Sequence, residues 1–178
     1  RTYLRQFLSD GRVIETPKAI WWLILNGIVL RTRPAKSAKA YQSVWTDDGS
    51  PLLLYTRKQK NLVKEKLEKK YPNLVFDIGM RYGNPSIAEG LNNLRNQNCD
   101  RIIVLPLYPQ YCAATTGSTF DAVAAELQQW RWVPSLRFIG SYFDQPLYIQ
   151  ALKNSIEEFW SKNDKPKKLL FSYHGIPK

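Results

Sequence analysis

From residue 73 onward, short apolar runs alternate with amphipathic stretches, and this alternation limits what the chain can fold into. Four apolar runs have the length and composition of buried strands: 74–80, 101–107, 136–141 and 168–173. Three stretches between them have the apolar spacing of helices: 86–97, 119–131 and 146–162. Because parallel strands are joined by crossover helices, the pattern predicts an α/β fold with a parallel sheet flanked by helices.

The first 70 residues predict helices without strands. After a short amphipathic helix at the start, the longer helices are expected over 18–30, 35–45 and 52–70. Thr16 is expected to cap the first of these, with Pro17 as its first residue. The segment 31–34 ends in a proline and is expected to break the helical run.

Basic residues outnumber acidic ones by 26 to 15, which gives a formal net charge of +11. This balance favours an anionic partner: a nucleic acid, an acidic lipid, or a small molecule with carboxylates or phosphates. A solubilising surface explains it equally well, since much of the excess falls in 57–70, where apolar residues have helical spacing among the charges. The sequence has no nucleic-acid-binding motif, so we expect no nucleic acid partner.

The two cysteines, Cys99 and Cys112, form no CxxC pair and have no nearby histidine. Neither a disulfide framework nor a zinc site can be argued from them, and a reducing, intracellular compartment is the expectation. The polar first residues do not predict a signal peptide, and the longest apolar run, 19–30, is too short to span a bilayer. Since the chain has no initiator methionine, we expect it to be part of a longer protein.

Functional loops of an open parallel sheet lie beyond the carboxyl ends of its strands. One arginine, several tyrosines and the sole histidine follow the predicted strands there: Arg81, Tyr82, Tyr108, Tyr111, Tyr142, Tyr173 and His174. Aromatic walls suit a flat aromatic ligand, Arg81 suits a carboxylate, and His174 can accept a proton or bind a metal ion. Each residue taken singly is more often structural, and it is their convergence that favours a site.

The segment 112–119 is rich in small and hydroxyl residues and precedes a predicted helix. Its amide hydrogens can hold an anion, or Ser118 or Thr119 can simply cap the helix. The absence of a GxGxxG or P-loop pattern from the sequence makes a nucleotide a weak expectation. Ser172 and Cys112 lack the sequence context of a catalytic nucleophile.

Six motifs in the same order resemble the ferrochelatase family along nearly the whole chain. They are YLRQFLSDGRVIE (3–15), DGSPLLLYTRKQ (48–59), MRYGNPSI (80–87), LPLYPQY (105–111), TTGSTFDAV (115–123) and FSYHGIPK (171–178). Members insert ferrous iron into protoporphyrin IX to make haem. The resemblance therefore implies a lyase of haem biosynthesis, with porphyrin and ferrous iron as its substrates.

The family folds as two similar Rossmann-like halves around a porphyrin cleft, and this chain resembles the N-terminal half. The resemblance places a helical lip and the first helices in 1–70 and the βαβ core of the same domain in 71–178. The C-terminal half, with the family's catalytic glutamate, is expected outside this sequence, so the isolated chain is expected to be inactive. The alternative is a basic Rossmann-like binding module without catalysis.

The resemblance also implies roles for individual residues. His174 matches the active-site histidine, which takes pyrrole protons or holds the metal, and Arg81 and Tyr82 match the arginine–tyrosine pair of the pocket. The other expected porphyrin contacts are Ser50 of the GSP turn, Tyr108, Gln110 and Tyr111 of the YPQY loop, Trp21 and Trp22 of the apolar lip, and Arg31 and Arg33 near the propionates.

The resemblance implies no permanently bound cofactor. Some members carry an iron–sulfur cluster with one cysteine in the loop after YPQY, but here Cys112 lies one position earlier and Ala113 occupies the matching place. We therefore expect no cluster. Because the lip is proposed to face the membrane in membrane-bound members, the resemblance implies a cytoplasmic protein with peripheral contact to the inner membrane.

Overall fold

Seven α-helices and one pair of β-strands lie within residues 1–175, the part of the chain that the computed structural model describes. In chain order the helices are α1 (Thr2–Leu8), α2 (Lys18–Ile24), α3 (Leu30–Gln42), α4 (Pro51–Glu68), α5 (Ile87–Asn96), α6 (Ser118–Leu127) and α7 (Pro146–Lys162). The strands are β1 (Arg101–Val104) and β2 (Ser135–Phe138). They pair in parallel and are joined through α6, which confirms an α/β fold with a parallel sheet flanked by helices.

Apolar side chains of α5, α6 and the strands form the larger core. Its buried members are Leu91, Ile102, Val123, Leu127 and Trp130. A reciprocal cap fixes the start of α5, because the Glu89 amide donates to Ser86 Oγ at 3.1 Å and the Ser86 amide donates to Glu89 Oε2 at 2.5 Å. The cap therefore also fixes where the preceding loop, 81–85, leaves the core.

Two glycines let the extended segment 74–80 lie directly against α5. A side chain at Gly90 would place its first carbon 2.8 Å from the Ile78 carbonyl oxygen, and one at Gly79 would lie 2.7 Å from the Ile87 Cα atom. Both distances are shorter than van der Waals contact, and both obstructing atoms belong to the backbone. The close approach requires glycine on both sides, and it positions the loop that follows residue 80.

Gly90→Ala is expected to destabilise the fold by about 1–3 kcal/mol, the usual cost of forcing extra atoms into a packed interior. The added methyl group can be accommodated only if the segment 74–80 moves away from α5. Chemical denaturation of the full natural protein measures the change in unfolding free energy. Gly140→Ala is the matched control, since a side chain there meets nothing within 4 Å, and equal losses in the two variants would contradict the packing argument.

The predicted strands at 74–80 and 168–173 are wrong. The first forms a single isolated bridge, between Met80 and Ser86, and the chain from 163 to 175 has no regular secondary structure. A strand needs a neighbour to accept its hydrogen bonds, and neither segment has one within residues 1–175. β1 and β2 confirm the other two predictions, although each ends three residues earlier than expected. The end of the FSYHGIPK motif, 176–178, lies outside the described residues.

The helices near the N-terminus pack around a second, smaller core of Leu8, Leu25 and Leu30. α2 runs into α3 through a π-helical turn, Leu25–Val29, and Pro34 lies inside α3. The predicted break at 31–34 is therefore wrong. A proline removes one backbone hydrogen bond and crowds the preceding turn, and the wider π-helical turn lies directly upstream of that crowded position.

The N-terminus of α2 differs from the prediction, whereas that of α4 lies close to it. Pro17, rather than Thr16, occupies the N-cap of α2, and no side chain caps that end, so the predicted threonine cap is wrong. α4 begins with Pro51 at its first turn, close to the prediction. Among the described residues, no helix combines the length and the apolar character that crossing a bilayer requires.

Candidate functional site

Arg81 lies at the centre of a hydrogen-bonded cluster that joins three parts of the chain. Asp10 follows α1, Arg81 follows the segment 74–80, and Ser118 begins α6. Arg81 Nη2 donates to Asp10 Oδ2 at 2.5 Å, and Arg81 Nε donates to the Ser118 hydroxyl at 2.6 Å and carbonyl at 2.9 Å. Ser118 is fully buried and the Asp10 side chain is 5% exposed. The guanidinium is thus held by charge-assisted bonds in a site that excludes most water.

Tyr82 uses the same carboxylate. Its hydroxyl donates to Asp10 Oδ2 at 2.8 Å, and its ring lies 4.6 Å from Arg81 Cζ, within cation–π range. The ring also meets Phe7 and Tyr3 edge to face, with centroid distances of 5.3 and 6.2 Å. The structure therefore brings the predicted arginine–tyrosine pair together and fixes both side chains.

Burial and hydrogen bonding shift the titration of this cluster. Burial alone would raise the pKa of Asp10, but the hydrogen bond from Ser118 and two further hydrogen bonds, with the charge of Arg81, hold that pKa below the ordinary value of 3.8. Burial, together with the bond to Asp10, raises the pKa of Tyr82 to about 12. At neutral pH the carboxylate is charged and the phenol keeps its proton, so Tyr82 serves as a donor and not as a base.

Acid is expected to remove the stability that Asp10 contributes. Because its pKa is lower in the folded chain than in the unfolded one, the contribution is present above the unfolded value and is lost as the pH falls through the folded value. The difference in unfolding free energy between wild type and Asp10→Asn should therefore shrink as the pH falls below 3.8. Asp144→Asn, at an exposed aspartate, is the control, and a difference for Asp10→Asn that is constant with pH would contradict the assignment.

A second ion pair, which is exposed to solvent, joins the turn that contains Asp10 to α6. Arg12 donates to both carboxylate oxygens of Asp121, at 2.6 and 2.9 Å, and hydrogen bonding by the Arg12 side chain lowers the pKa of Asp121. Tyr111 lies beside the pair, because a side chain at Gly117 would sit 3.2 Å from Tyr111 Oη and 3.4 Å from Arg12 Nη1. The hydroxyl of the predicted loop residue Tyr111 therefore lies close to Gly117, the residue directly before α6, and to Arg12.

The loop after β1 meets the loop after β2, as the convergence of strand ends predicts. The Tyr142 amide donates to the Pro109 carbonyl at 2.9 Å. Burial raises the pKa of Tyr108, and the nearby charge of Arg81 opposes that shift. Tyr108 therefore lies within range of the Arg81 charge, and both Tyr108 and Gln110 are exposed.

The two predicted lip tryptophans have different surroundings. Trp21 Nε1 donates to the Leu8 carbonyl at 2.6 Å, and its ring packs against the smaller core. Trp22 is 64% exposed. With its exposed apolar neighbours it forms a surface that we call the α2 apolar strip: Ile20, Trp22, Leu23, Ile24 and Ile28. Trp21 anchors this strip, and Trp22 contributes to its outer surface.

Three other predicted site residues lie outside the Arg81 cluster. Arg31 and Arg33 are exposed on α3. Ser50 occupies the N-cap of α4, but its side chain makes no capping hydrogen bond. The hydroxyl of Ser50 is thus not used by the end of the helix.

The structure does not bring His174 to the other predicted site residues. Its side chain is exposed, and its one hydrogen bond within residues 1–175 joins Nδ1 to the neighbouring Gly175 carbonyl oxygen at 2.6 Å. The described residues contain no group of three or more histidine, cysteine, aspartate or glutamate side chains that could hold a metal ion. The role of His174 stays a prediction.

The segment 112–119 is not an open anion-binding loop. A π-helical turn, Ala113–Gly117, runs directly into α6, and its amides at Thr115 and Gly117 bond to the Cys112 carbonyl. Neither Ser118 nor Thr119 is the N-cap, so that prediction is wrong as well. The helical path begins several residues earlier than the sequence pattern indicates.

Sequence reasoning missed Asp10 and misread Ser118. The Ser118 hydroxyl donates to Asp10 Oδ2 at 2.5 Å, although the two residues are 108 positions apart. Asp10 precedes a glycine in a Ser-Asp-Gly turn, a context in which aspartate usually stabilises the turn itself. The only available signal was that this turn falls inside one of the six motifs.

Comparison with known proteins adds to this geometry. A family model described as ferrochelatase matches residues 1–178. A ferrochelatase of Hydrogenovibrio crunogenus is 57% identical over 182 residues, covering 99% of this chain and 48% of that protein. Ferrochelatase 2 of Shewanella oneidensis is 54% identical over 177 residues, covering 99% of this chain and 54% of that protein. The ferrochelatase of Methylococcus capsulatus is 52% identical over 178 residues, covering 100% and 53%.

The chain spans about half the length of the curated relatives it matches. The ferrochelatase family model matches the whole of this chain, residues 1–178. The chain therefore belongs to the ferrochelatase family.

Proposed function

We propose that the full natural protein containing this chain inserts ferrous iron into protoporphyrin IX to form protohaem, the last step of haem biosynthesis. The observation that carries the proposal is family membership along the whole chain, at 57% identity to a relative named ferrochelatase. The Arg81–Tyr82 pair supports it, because an aromatic wall beside a fixed positive charge suits the rim of a flat macrocycle that bears carboxylates.

Metal insertion requires that two pyrrole N–H protons leave the ring and that the metal reach one of its faces. We assign the proton or metal contact to His174, because a neutral imidazole can accept a proton or bind a metal ion near neutral pH. Tyr82 keeps its own proton, since its pKa is raised to about 12. Ferrous iron is thus a substrate in this proposal, and we assign no permanent cofactor and no iron–sulfur cluster.

The remaining predicted residues are proposed to bind the porphyrin. Trp22 and the α2 apolar strip would cover the ring, with Trp21 as the anchor of that surface. Arg31 and Arg33 would pair with the propionates. The polar rim would be formed by Ser50, Tyr108, Gln110 and Tyr111.

Two further partners are proposed. Relatives about twice as long as this chain suggest a second half of the same protein, which would form the other wall of the cleft. The exposed α2 apolar strip would also make peripheral contact with the inner membrane from the cytoplasmic side, since apolar and aromatic side chains partition into the interface.

Replacing Arg31 and Arg33 together by glutamine is expected to weaken protoporphyrin binding by about tenfold or more, since charge-assisted bonds contribute about 1.5–3 kcal/mol each. Binding is measured in the full natural protein by quenching of tryptophan fluorescence. The dimethyl ester of the porphyrin lacks the carboxylates, so its affinity should not change. Equal losses for the acid and the ester would contradict the propionate assignment.

Anaerobic incubation of the full natural protein with protoporphyrin IX and ferrous iron tests the proposal as a whole. We expect the enzyme to form haem over multiple turnovers, which the shift of the porphyrin absorption bands monitors. No haem formation, together with salt-sensitive binding to random DNA that porphyrin does not affect, would instead favour a basic binding module.

A further inference from the structure

Asp10 is the shared acceptor of the Arg81 cluster. Its Oδ2 atom accepts hydrogen bonds from Arg81 Nη2 at 2.5 Å, from the Tyr82 hydroxyl at 2.8 Å and from the Ser118 hydroxyl at 2.5 Å. Its Oδ1 atom accepts the Arg12 amide at 2.8 Å. A carboxylate that accepts four hydrogen bonds from its own chain, and whose side chain is only 5% exposed, is oriented by the chain itself.

Arg81 is held along one edge only. Its Nε and Nη2 groups are used by Ser118 and Asp10, whereas Nη1 makes no hydrogen bond to any residue from 1 to 175. The side chain is 23% exposed, more than that of Asp10. The planar guanidinium therefore has one edge fixed in the interior and another edge that can face a ligand.

The same carboxylate sets the orientation of Tyr82. The phenol donates its single proton to Asp10, which fixes the position of Tyr82 Oη, and the ring packs edge to face against Phe7 and Tyr3. With the ring fixed, Arg81 Cζ remains 4.6 Å from its centre. One carboxylate thus determines the directions of both side chains of the pair.

We propose that Asp10 is a positioning residue, which acts on the porphyrin by orienting Arg81. The inference rests on the proposed function, since it requires that Arg81 contact the substrate. A purely structural carboxylate would stabilise the fold without affecting turnover once the protein is folded. A positioning carboxylate would affect turnover in the folded protein, and only while Arg81 is present.

A double-mutant cycle in the full natural protein separates these roles. Wild type, Asp10→Asn, Arg81→Gln and the double variant are compared by kcat/KM for protoporphyrin, by protoporphyrin Kd and by thermal midpoint. All are assayed at a temperature at which circular dichroism shows them folded. Asp121→Asn is the matched control, because it breaks the exposed ion pair of the same turn and should change kcat/KM by no more than about threefold.

We expect Asp10→Asn to lower kcat/KM by about 10- to 100-fold, since misplacing a binding group by about 1 Å can cost that much. The kcat/KM of the double variant should be no lower than that of the less active single variant, because Asp10 acts through Arg81. Losses that multiply in the double variant, or a folded Asp10→Asn protein with wild-type kcat/KM, would overturn the inference. If wild type forms no haem, the proposed function fails, and the same cycle read in protoporphyrin Kd still decides the role of Asp10.

Discussion

Replacing His174 by alanine in the full natural protein is expected to lower the rate of iron insertion by at least about 100-fold, the lower end of what a positioned acid–base group contributes. The imidazole is the group in this chain best suited to take a pyrrole proton or to hold the metal near neutral pH. Anaerobic initial rates with protoporphyrin and ferrous iron measure the loss.

Stability should not change with this substitution. His174 is exposed, and the only hydrogen bond of its ring among the described residues joins it to the neighbouring Gly175 carbonyl. The thermal midpoint of His174→Ala should therefore equal that of wild type, as should the turnover and midpoint of the neighbouring control Ser172→Ala. Near-normal haem formation by His174→Ala would remove the histidine from the proposed site.

The 178-residue chain on its own is expected to form no haem at all. The family resemblance places the partner carboxylate of His174 in a second half, and relatives are about twice as long. Large apolar side chains of this chain also lie open to solvent. Those more than four-fifths exposed are Leu147, on α7, and Leu170. Large apolar side chains that lie open to solvent are expected at positions that a second half would cover.

The isolated chain and the full natural protein are to be compared at equal concentration in the same anaerobic assay. The isolated chain should also bind more of a hydrophobic dye than the full natural protein does, because apolar side chains such as Leu147 and Leu170 would be covered in the longer protein. Measurable turnover by the 178 residues alone would show that they contain a complete active site, and the proposed need for a second half would fail.

Periodicity was sufficient to predict the elements whose partners are close in sequence. α5, α6 and α7 lie within a few residues of their predicted positions, and β1 and β2 pair in parallel as expected. Local patterns failed where structure depends on distant partners. The segments 74–80 and 168–173 have the composition of strands but lack a neighbouring strand among the described residues, so no ladder forms. Composition fixes a preference for extended backbone, and only a partner converts that preference into a strand.

In the site, too, contacts between neighbours in the sequence could be predicted, and contacts between distant residues could not. Arg81 and Tyr82 are adjacent in sequence, so their pairing could be predicted from one motif. Asp10 lies 71 positions from Arg81, and no periodicity or local motif connects them. Ser118 was expected to serve its own helix, and it serves the cluster instead because the π-helical turn extends the helix upstream. Hydrogen bonds between distant residues are set by the tertiary fold, which local sequence patterns do not encode.

Because the Arg81 cluster is largely buried, the loss of either charged partner is expected to lower stability. A charged pair that is largely removed from water is costly when either partner is lost, because the remaining charge has no compensation. Asp10 and Arg81 are therefore expected to be sensitive to substitution for reasons of stability as well as function. This is why the double variant, in which both charges are removed together, is informative.

We propose that His174 and the Arg81–Tyr82 pair contact one porphyrin in the full natural protein. The most direct measurement is a crystal structure of that protein with protoporphyrin IX bound, from which the distance between the His174 imidazole and the centre of the macrocycle is read. We expect the imidazole to face the ring centre within reach of a metal or proton, about 2–3.2 Å from the reacting atoms, and Arg81 and Tyr82 to contact the same porphyrin. A porphyrin bound away from this pair, or with His174 turned to solvent, would contradict it.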